Sequence, residues 1–349
     1  MLLTLIIPCY NSAATIRRCL DSIYALPLEE TEFEVIVVDD ASTDETRRIV
    51  EEYEKAHANL TLIRHLVNRN LGAARNTGLV AAKGDCIAFV DSDDEVAPGV
   101  ITALKMMEEK GLDMVAMRVE HITEEGEITK IVSLPYGPEV VFEGTRLMTE
   151  HPFWMTAVWG YLYRRSLLER VKYPFVEGLF QEDGDYVNTH LYHSERVAYC
   201  DECSYHFHNT PGSINSCFSW QNAAGYILLG ARYLALYERM NDHSSSAAQS
   251  ILEGGSHYLI ETFRKLMSLS SISEIRNVYN TVDTRIDRKS LLTYREPADS
   301  WNWNRWTRFC LLHRYLATLV SGFVVSTPWL QSSMKRLFRR VRAHGKITF

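Results

Sequence analysis

Short apolar runs and amphipathic stretches alternate along the N-terminal part of the chain. Residues 2–8 are almost wholly apolar and stop at Pro8, as a buried parallel strand does. Residues 12–26 place Ile16, Cys19, Leu20 and Ile23 on one helical face, with Ser12 as the expected N-cap. FEVIVVDD (33–40) is a second strand. Residues 42–57 open on a Ser-x-x-Glu capping pattern at Ser42 and Glu45 and continue as an amphipathic helix. LTLIRH (60–65), a helix over 71–84 and the strand DCIAFVD (85–91) follow. Strands alternating with helices at this spacing predict an α/β fold with a parallel sheet.

Such sheets bind ligands beyond the carboxyl ends of their strands. Four loops fall at that edge: PCYN (8–11), DDAST (39–43), HLVNRN (65–70) and DSDDE (91–95); the helix after the third carries Arg75 and Asn76. The fourth loop packs three aspartates and a glutamate into five positions, and like charges this close repel one another. Along an extended segment Asp91 and Asp93 point to one side and Asp94 to the other. An Asp-x-Asp there suits a hard divalent cation, Mg²⁺ or Mn²⁺, which takes one or two carboxylates plus substrate phosphates. A solvated acidic turn fits the same residues. An EF-hand loop does not, because its later Gly and bidentate Glu are missing.

The next section is less regular. Strands are expected over 111–122 and 127–134, joined by the turn TEEGE. A strand runs into a short helix over 155–171, a loop enters a helix near Glu182, and 196–209 is a further strand. From about residue 219 onward the periodicity is helical, notably over 223–240 and 254–269. There is no internal repeat and no low-complexity linker.

Charge divides the chain unevenly. Overall 37 basic face 44 acidic residues, a formal charge of −7. Residues 301–349 hold nine Lys/Arg and no Asp or Glu, so the remainder carries 28 basic against 44 acidic side chains. An acidic body argues against nucleic-acid binding, and the basic tail fits an anionic membrane surface. MKRLFRRVRAHGK (334–346) sets Leu337, Phe338 and Val341 among basic residues, the pattern of an interfacial amphipathic helix or of a helix docked on the acidic body. The stretch 301–330, interrupted by His313 and Arg314, is too dilute in apolar residues for a spanning helix. Seven cysteines, an odd number, suit a reducing compartment, and the apolar N-terminus reads as a strand and not a signal peptide. A cytoplasmic protein, peripheral to the inner membrane face, is the expectation.

IIPCYN, VVDDASTD, NLGAARNTGL and FVDSDD, in this order and spacing, resemble the nucleotide-sugar-binding half of family 2 glycosyltransferases, which have the GT-A fold. With WGYLYRRSLL, QED and PGSI the resemblance reaches about residue 215. It implies a GT-A domain over 1–218, with a nucleotide-binding half (1–95) and an acceptor half (96–218), followed by a helical region over 219–349. It implies an inverting transferase that uses a nucleotide diphosphosugar, a UDP-sugar by expectation, with Mn²⁺ or Mg²⁺. The acceptor would be a glycan or lipid-linked oligosaccharide of surface-polysaccharide synthesis.

The same resemblance assigns residues. Pro8, Tyr10 and Asn11 line the base and ribose pocket, Asp40 accepts from the uracil edge, and Asp39 is either its partner or a helix cap. Arg75 lies near the diphosphate, where its fork suits phosphate, or else in a surface ion pair. Asp91 and Asp93 hold the metal, Ser92 lies on the donor between them, and His208 or His206 completes the metal shell. Asp183 is the general base on the acceptor hydroxyl, kept ionised by the helix dipole, with Glu182 in support; Asp185 is read as solvated. Trp159 stacks on a sugar or fills the core, and Arg164 and Arg165 face the diphosphate or solvent. Gly160-Tyr161 replaces the family's frequent Asn-Lys, which puts acceptor contacts there in question. Cys200-x-x-Cys203 with His206, His208 and Cys217 suggests zinc, but the segment alternates like a strand. Two rival readings stand beside this one: a nucleotidyltransferase, whose Gly-rich basic loop is absent after the first strand, and a sugar-nucleotide-binding protein with a dead site.

Overall fold

The computed structural model describes residues 2–123, 125–151, 156–178, 180–209, 219–266 and 272–283. The predicted alternation is present as β1 (Leu3–Cys9), α1 (Ile16–Tyr24), β2 (Phe33–Asp39), α2 (Thr46–Ala56), β3 (Leu60–Arg64), α3 (Asn70–Ala81) and β4 (Cys86–Phe89). All seven residues of β1 are buried, so a truncation such as Leu5→Ala would cost about 2–5 kcal/mol. β1 continues through Pro8 to Cys9, where the missing N–H falls at the strand's carboxyl end and the ladder closes by Asp40 N donating to Cys9 O. The apolar face read for α1 is the buried one: Ile16, Cys19, Leu20 and Ile23.

The second half adds β5 (Glu95–Val96), α4 (Gly99–Lys110), β6 (Met114–Ile122), β7 (Ile128–Val132), β8 (Val141–Phe142), α5 (Gly144–Glu150), β9 (Tyr161–Arg164), α6 (Arg165–Val171), α7 (Asp183–Tyr192) and β10 (Val197–His208). The ten-stranded sheet runs β3-β2-β1-β4-β9-β6-β10-β5, with β7 beside β6 and β8 on β10. β1, β2, β3 and β4 are parallel, β9 is antiparallel to both β4 and β6, and β10 runs parallel to β6. The carboxyl ends of β1, β2, β4, β6 and β10 therefore share one edge. α3 lies close on β1 because Gly78 has no side chain: a Cβ there would sit 2.4 Å from Ile6 Cγ2.

Two expected caps differ. Helix α1 starts at Ile16, and Ser12 serves through its backbone carbonyl, which accepts from Thr15 N and Ile16 N. Helix α2 starts at Thr46, and Asp44 is the side chain that accepts from Thr46 N, at 3.0 Å, while Glu45 pairs with Arg48. Asp44 also accepts from Ala13 N, so this acid ties the first two loops together, which a local capping rule does not anticipate.

The chain forms two compact units, residues 1–178 with 182–213, and 179–181 with 214–349. In the second, α8 (Trp220–Arg239), α9 (Ser246–Leu266) and α10 (Ile272–Asp283) realise the predicted helical periodicity. Ser219 Oγ caps α8 by accepting from Asn222 N at 3.4 Å. Among the described residues no helix is long and apolar enough to cross a membrane. PGSI (211–214), Cys217 and the basic tail lie outside the described residues.

Candidate active site

The four predicted loops meet at the carboxyl edge and are stitched to one another. Asn11 N donates to Ser42 Oγ at 3.0 Å and Thr43 N donates to Asn11 Oδ1 at 2.8 Å, joining the first loop to the second. The Ser12 and Ser92 hydroxyls share a hydrogen bond of 2.7 Å, joining the first to the fourth. Three of the loops each carry a non-glycine residue in the left-handed region, Asn11 (φ 51°), Ala41 (φ 65°) and Asn70 (φ 68°), a conformation that surrounding structure must hold in place. Tyr10 is 47% exposed above them, and Pro8 is buried beneath.

Asp40 is held by the third loop. Its carboxylate accepts from Arg69 N (2.9 and 3.0 Å) and Asn70 N (2.7 Å), and it pairs with His65 Nδ1 at 2.6 Å. Both oxygens are thus committed to loop 65–70, which they shape, leaving little capacity for a base N–H. Asp39 Oδ1 accepts from Ser42 N at 3.0 Å, a turn-closing bond within its own loop and not a helix cap. His65, whose Nε2 reaches Thr77 Oγ1 at 2.9 Å, is part of this arrangement and carries no sequence signal beyond its place in the loop.

Arg75 is the centre of the site. Its side chain is 1% exposed and reaches three carboxylates: Asp91 at 2.8 Å, Glu182 at 2.5 Å, and Asp183. Phe175 lies under the guanidinium, 5.5 Å from its carbon to the ring centroid. The surface ion pair considered for Arg75 is excluded by this burial. One buried cation faces three acids, and loss of solvent at such a place disfavours the charged form of a carboxyl group. Burial raises the Glu182 carboxyl to about 8, the Asp183 charge adding to the rise and Arg75 opposing it. Burial also raises Asp183, against the lowering effect of Arg75. At Asp183 loss of solvent thus acts against the helix dipole, while its side chain keeps 22% exposure.

The acidic turn is divided differently from the extended reading. Asp94 N donates to Asp91 O, closing a turn, and Asp94 itself is 1% exposed. Its carboxylate accepts from Tyr205 Oη and from His208 N, both at 2.7 Å, which fastens the turn to the end of β10. Burial, then the charges of Asp91 and Asp93, push the Asp94 carboxyl well above the usual range. Arg18, unnoticed in the sequence, donates from Nη2 to Asp93 O at 2.6 Å and lies 3.5 Å from Glu95. His208 is occupied through Nε2 by Glu95 at 2.6 Å, and its buried Nδ1 has no partner among the described residues. Among the described residues, the group of three whose ligand atoms lie within 4.8 Å of one another is Glu120, Cys203 and His206, so His208 does not close on Asp91 and Asp93. The carboxylates of Asp91 and Asp93, two oxygen donors on one short turn, fit the charge and donor type of a hard divalent cation.

Further expectations are corrected by packing. Asp185 is buried and accepts from Tyr173 Oη at 2.9 Å. Trp159 stacks on Tyr205 with 4.8 Å between centroids and 6° between planes, so it is core. Arg164 donates to Leu112 O and Met107 O, tying β9 to the end of α4, and Arg165 makes a 3.8 Å surface pair with Glu169; neither faces the site. Gly72 lets α3 approach the 173–178 segment beside Glu182: a Cβ there would lie 2.2 Å from Val176 O and 3.4 Å from Glu182 Cγ.

The parallel α/β edge gathers two acid clusters about one buried arginine, and the sequence and fold around it are those of a glycosyltransferase. The description Glycosyl transferase family 2 matches residues 4–172. The chain is 33% identical to the glycosyltransferase EpsJ of Bacillus subtilis, over 61% of this chain and 62% of EpsJ. It is 30% identical to the succinoglycan biosynthesis protein ExoO of Rhizobium meliloti, over 67% of this chain and 68% of ExoO. The fold matches Staphylococcus aureus TarS in complex with UDP-GlcNAc at a TM-score of 0.61 and 20% identity, over 96% of this chain and 92% of that one. The chain belongs to glycosyltransferase family 2. It spans about three fifths of the length of EpsJ.

Proposed function

We propose that the protein is an inverting glycosyltransferase that moves a sugar from a nucleotide diphosphosugar, a UDP-sugar, to a hydroxyl of a glycan or lipid-linked acceptor in cell-surface polysaccharide synthesis. The observation that carries this reading is Arg75, whose single guanidinium holds Asp91 of the acidic turn and Asp183 of α7. A side chain so placed keeps the leaving-group side and the base side of a displacement in fixed relation. Family membership and the likeness to TarS, which was solved with UDP-GlcNAc, support the donor class, and the succinoglycan role of ExoO supports a surface polymer.

In this mechanism Asp183 takes the proton of the acceptor hydroxyl as that oxygen bonds to the anomeric carbon. The bond from that carbon to the diphosphate breaks on the opposite face. The raised pKa of Asp183 makes it a better proton acceptor once ionised. Asp91 and Asp93 would hold a divalent cation, which supplies positive charge for the departing diphosphate. Asp40, through its hold on loop 65–70, and Tyr10, Asn11 and Ser92 shape the donor pocket. The basic tail would keep the enzyme at an anionic membrane face, where lipid-linked acceptors lie.

The test is donor consumption and product formation against a panel of nucleotide sugars with Mn²⁺ or Mg²⁺, alongside calorimetric donor binding. Asp183→Asn is expected to bind donor as the parent does and to transfer nothing. A variant with undiminished transfer would remove Asp183 as base, and binding without turnover by the parent would make it a sugar-nucleotide-binding protein.

A further inference from the structure

Strands β6 and β10 carry a cluster of ligating side chains apart from the acids gathered at Arg75. The register of β10 against β6 shifts between Cys200 and Cys203 and again between Cys203 and Tyr205. The first shift separates the two cysteines. Cys200 is buried, with its thiol on Gly99 O at 3.6 Å, while Cys203 is partly exposed. The Cys-x-x-Cys pair is therefore not a chelate. Instead Cys203 Sγ, a ring nitrogen of His206 and a carboxylate oxygen of Glu120 lie within 4.8 Å of one another. His206 and Glu120 are direct partners across the parallel ladder, and His206 Nε2 is 3.9 Å from Glu120 Oε2.

We infer that Glu120, Cys203 and His206 form a site for a borderline divalent cation of the Zn²⁺ type, separate from the Asp91–Asp93 turn. A thiolate, an imidazole and a carboxylate are the donors such an ion selects, whereas Mg²⁺ or Mn²⁺ prefers oxygen alone. With Zn–S about 2.3 Å and Zn–N or Zn–O about 2.0 Å, a tetrahedral ion spaces its ligand atoms roughly 3.3–3.6 Å apart. The 3.9 Å separation of His206 and Glu120 must close by about 0.6 Å to reach the N–O spacing of such an ion, which a partly exposed imidazole permits. Arg118 donates to the other oxygen of Glu120 at 2.6 Å and so aims the free oxygen at the cluster, as outer-shell partners of metal ligands do. Three protein ligands leave the fourth position to water, and the Cys203 thiol loses its proton to solvent as the ion binds. Tyr205, between Cys203 and His206 along the strand, holds Asp94 of the acidic turn and stacks on Trp159, so an ion here would stiffen the strand end that anchors the active site.

Titration of the untagged full-length chain with Co²⁺, without nucleotide, tests the site by optical absorption. One equivalent should produce a thiolate-to-cobalt charge-transfer band that Zn²⁺ abolishes by displacement. Cys203→Ser should remove the band, and His206→Ala should weaken Co²⁺ binding about tenfold or more. Cys200→Ser and the double variant Asp91→Asn/Asp93→Asn should leave it in place. The assignment is overturned if the parent shows no band, if the band survives in Cys203→Ser, or if it disappears with Asp91 and Asp93.

Discussion

Arg75 carries two separable consequences. Its removal leaves Asp91, Glu182 and Asp183 facing one another without a cation, and breaking a buried pair by deleting one partner costs about 3–5 kcal/mol. Arg75→Ala should therefore lower the free energy of unfolding by an amount of that order, read from urea denaturation. Arg75→Lys keeps the charge but not the planar fork, so part of the stability should return while turnover stays at least about tenfold down. Equal recovery of both would mean that charge alone suffices. Glu182 gives the pH counterpart. Its carboxyl is raised in the folded protein to about 8, so the folded state holds a proton that the unfolded chain releases near 4.5. The stability this contributes is full below about 4.5 and is lost as pH rises through about 8. Denaturant midpoints should fall across that window, and Glu182→Gln should flatten the slope; an unchanged slope would exclude Glu182 as its source. The sequence displays Arg75, Glu182 and Asp183 as candidates, because helix starts and loops at a sheet edge are recognisable. It does not display that they touch, because they are separated by more than a hundred positions and only the tertiary fold brings them together.

Helix α3 owes its seat to small residues. Gly72 faces Val176 O so closely that a methyl group would sit 2.2 Å away, and backbone cannot swing aside as a side chain can. Gly72→Ala should cost about 1–3 kcal/mol through overpacking. Because the same helix bears Arg75, it should also reduce transfer more than donor binding, which paired calorimetry and turnover measurements would separate. Regular elements were legible in the residues: β1 to β4 and α1 to α3 follow directly from runs and periodicity. Turns were less so. Alternation put Asp94 on the opposite side from Asp91 and Asp93 but could not reveal that this side is a buried anchor, held by Tyr205 and His208 from a strand more than a hundred residues on. The burial of Asp185, the inward ties of Arg164 and the backbone partners of Asp40 are hidden from the sequence for the same reason. Each residue is polar, and each finds its partners in a distant or irregular segment that local pattern does not specify.

The acidic body and basic tail make a further expectation testable without knowing donor or acceptor. Removing residues 301–349 from the count leaves 28 basic against 44 acidic side chains, so the body should be repelled by an anionic bilayer. Any attraction must then come from the nine Lys/Arg of the tail, several of them beside Leu337, Phe338 and Val341. Each basic residue near such a surface contributes about 1 kcal/mol, and the field falls off within roughly 10 Å at moderate salt. A chain lacking residues 331–349 should no longer float with vesicles containing phosphatidylserine, while the full chain should float at low salt and release as salt is raised. Neutral vesicles should retain neither. If the shortened chain still binds, residues 331–349 are not the anchor; if the full chain binds but salt leaves it attached, apolar insertion and not charge holds it, and substitution of Phe338 becomes the discriminating change.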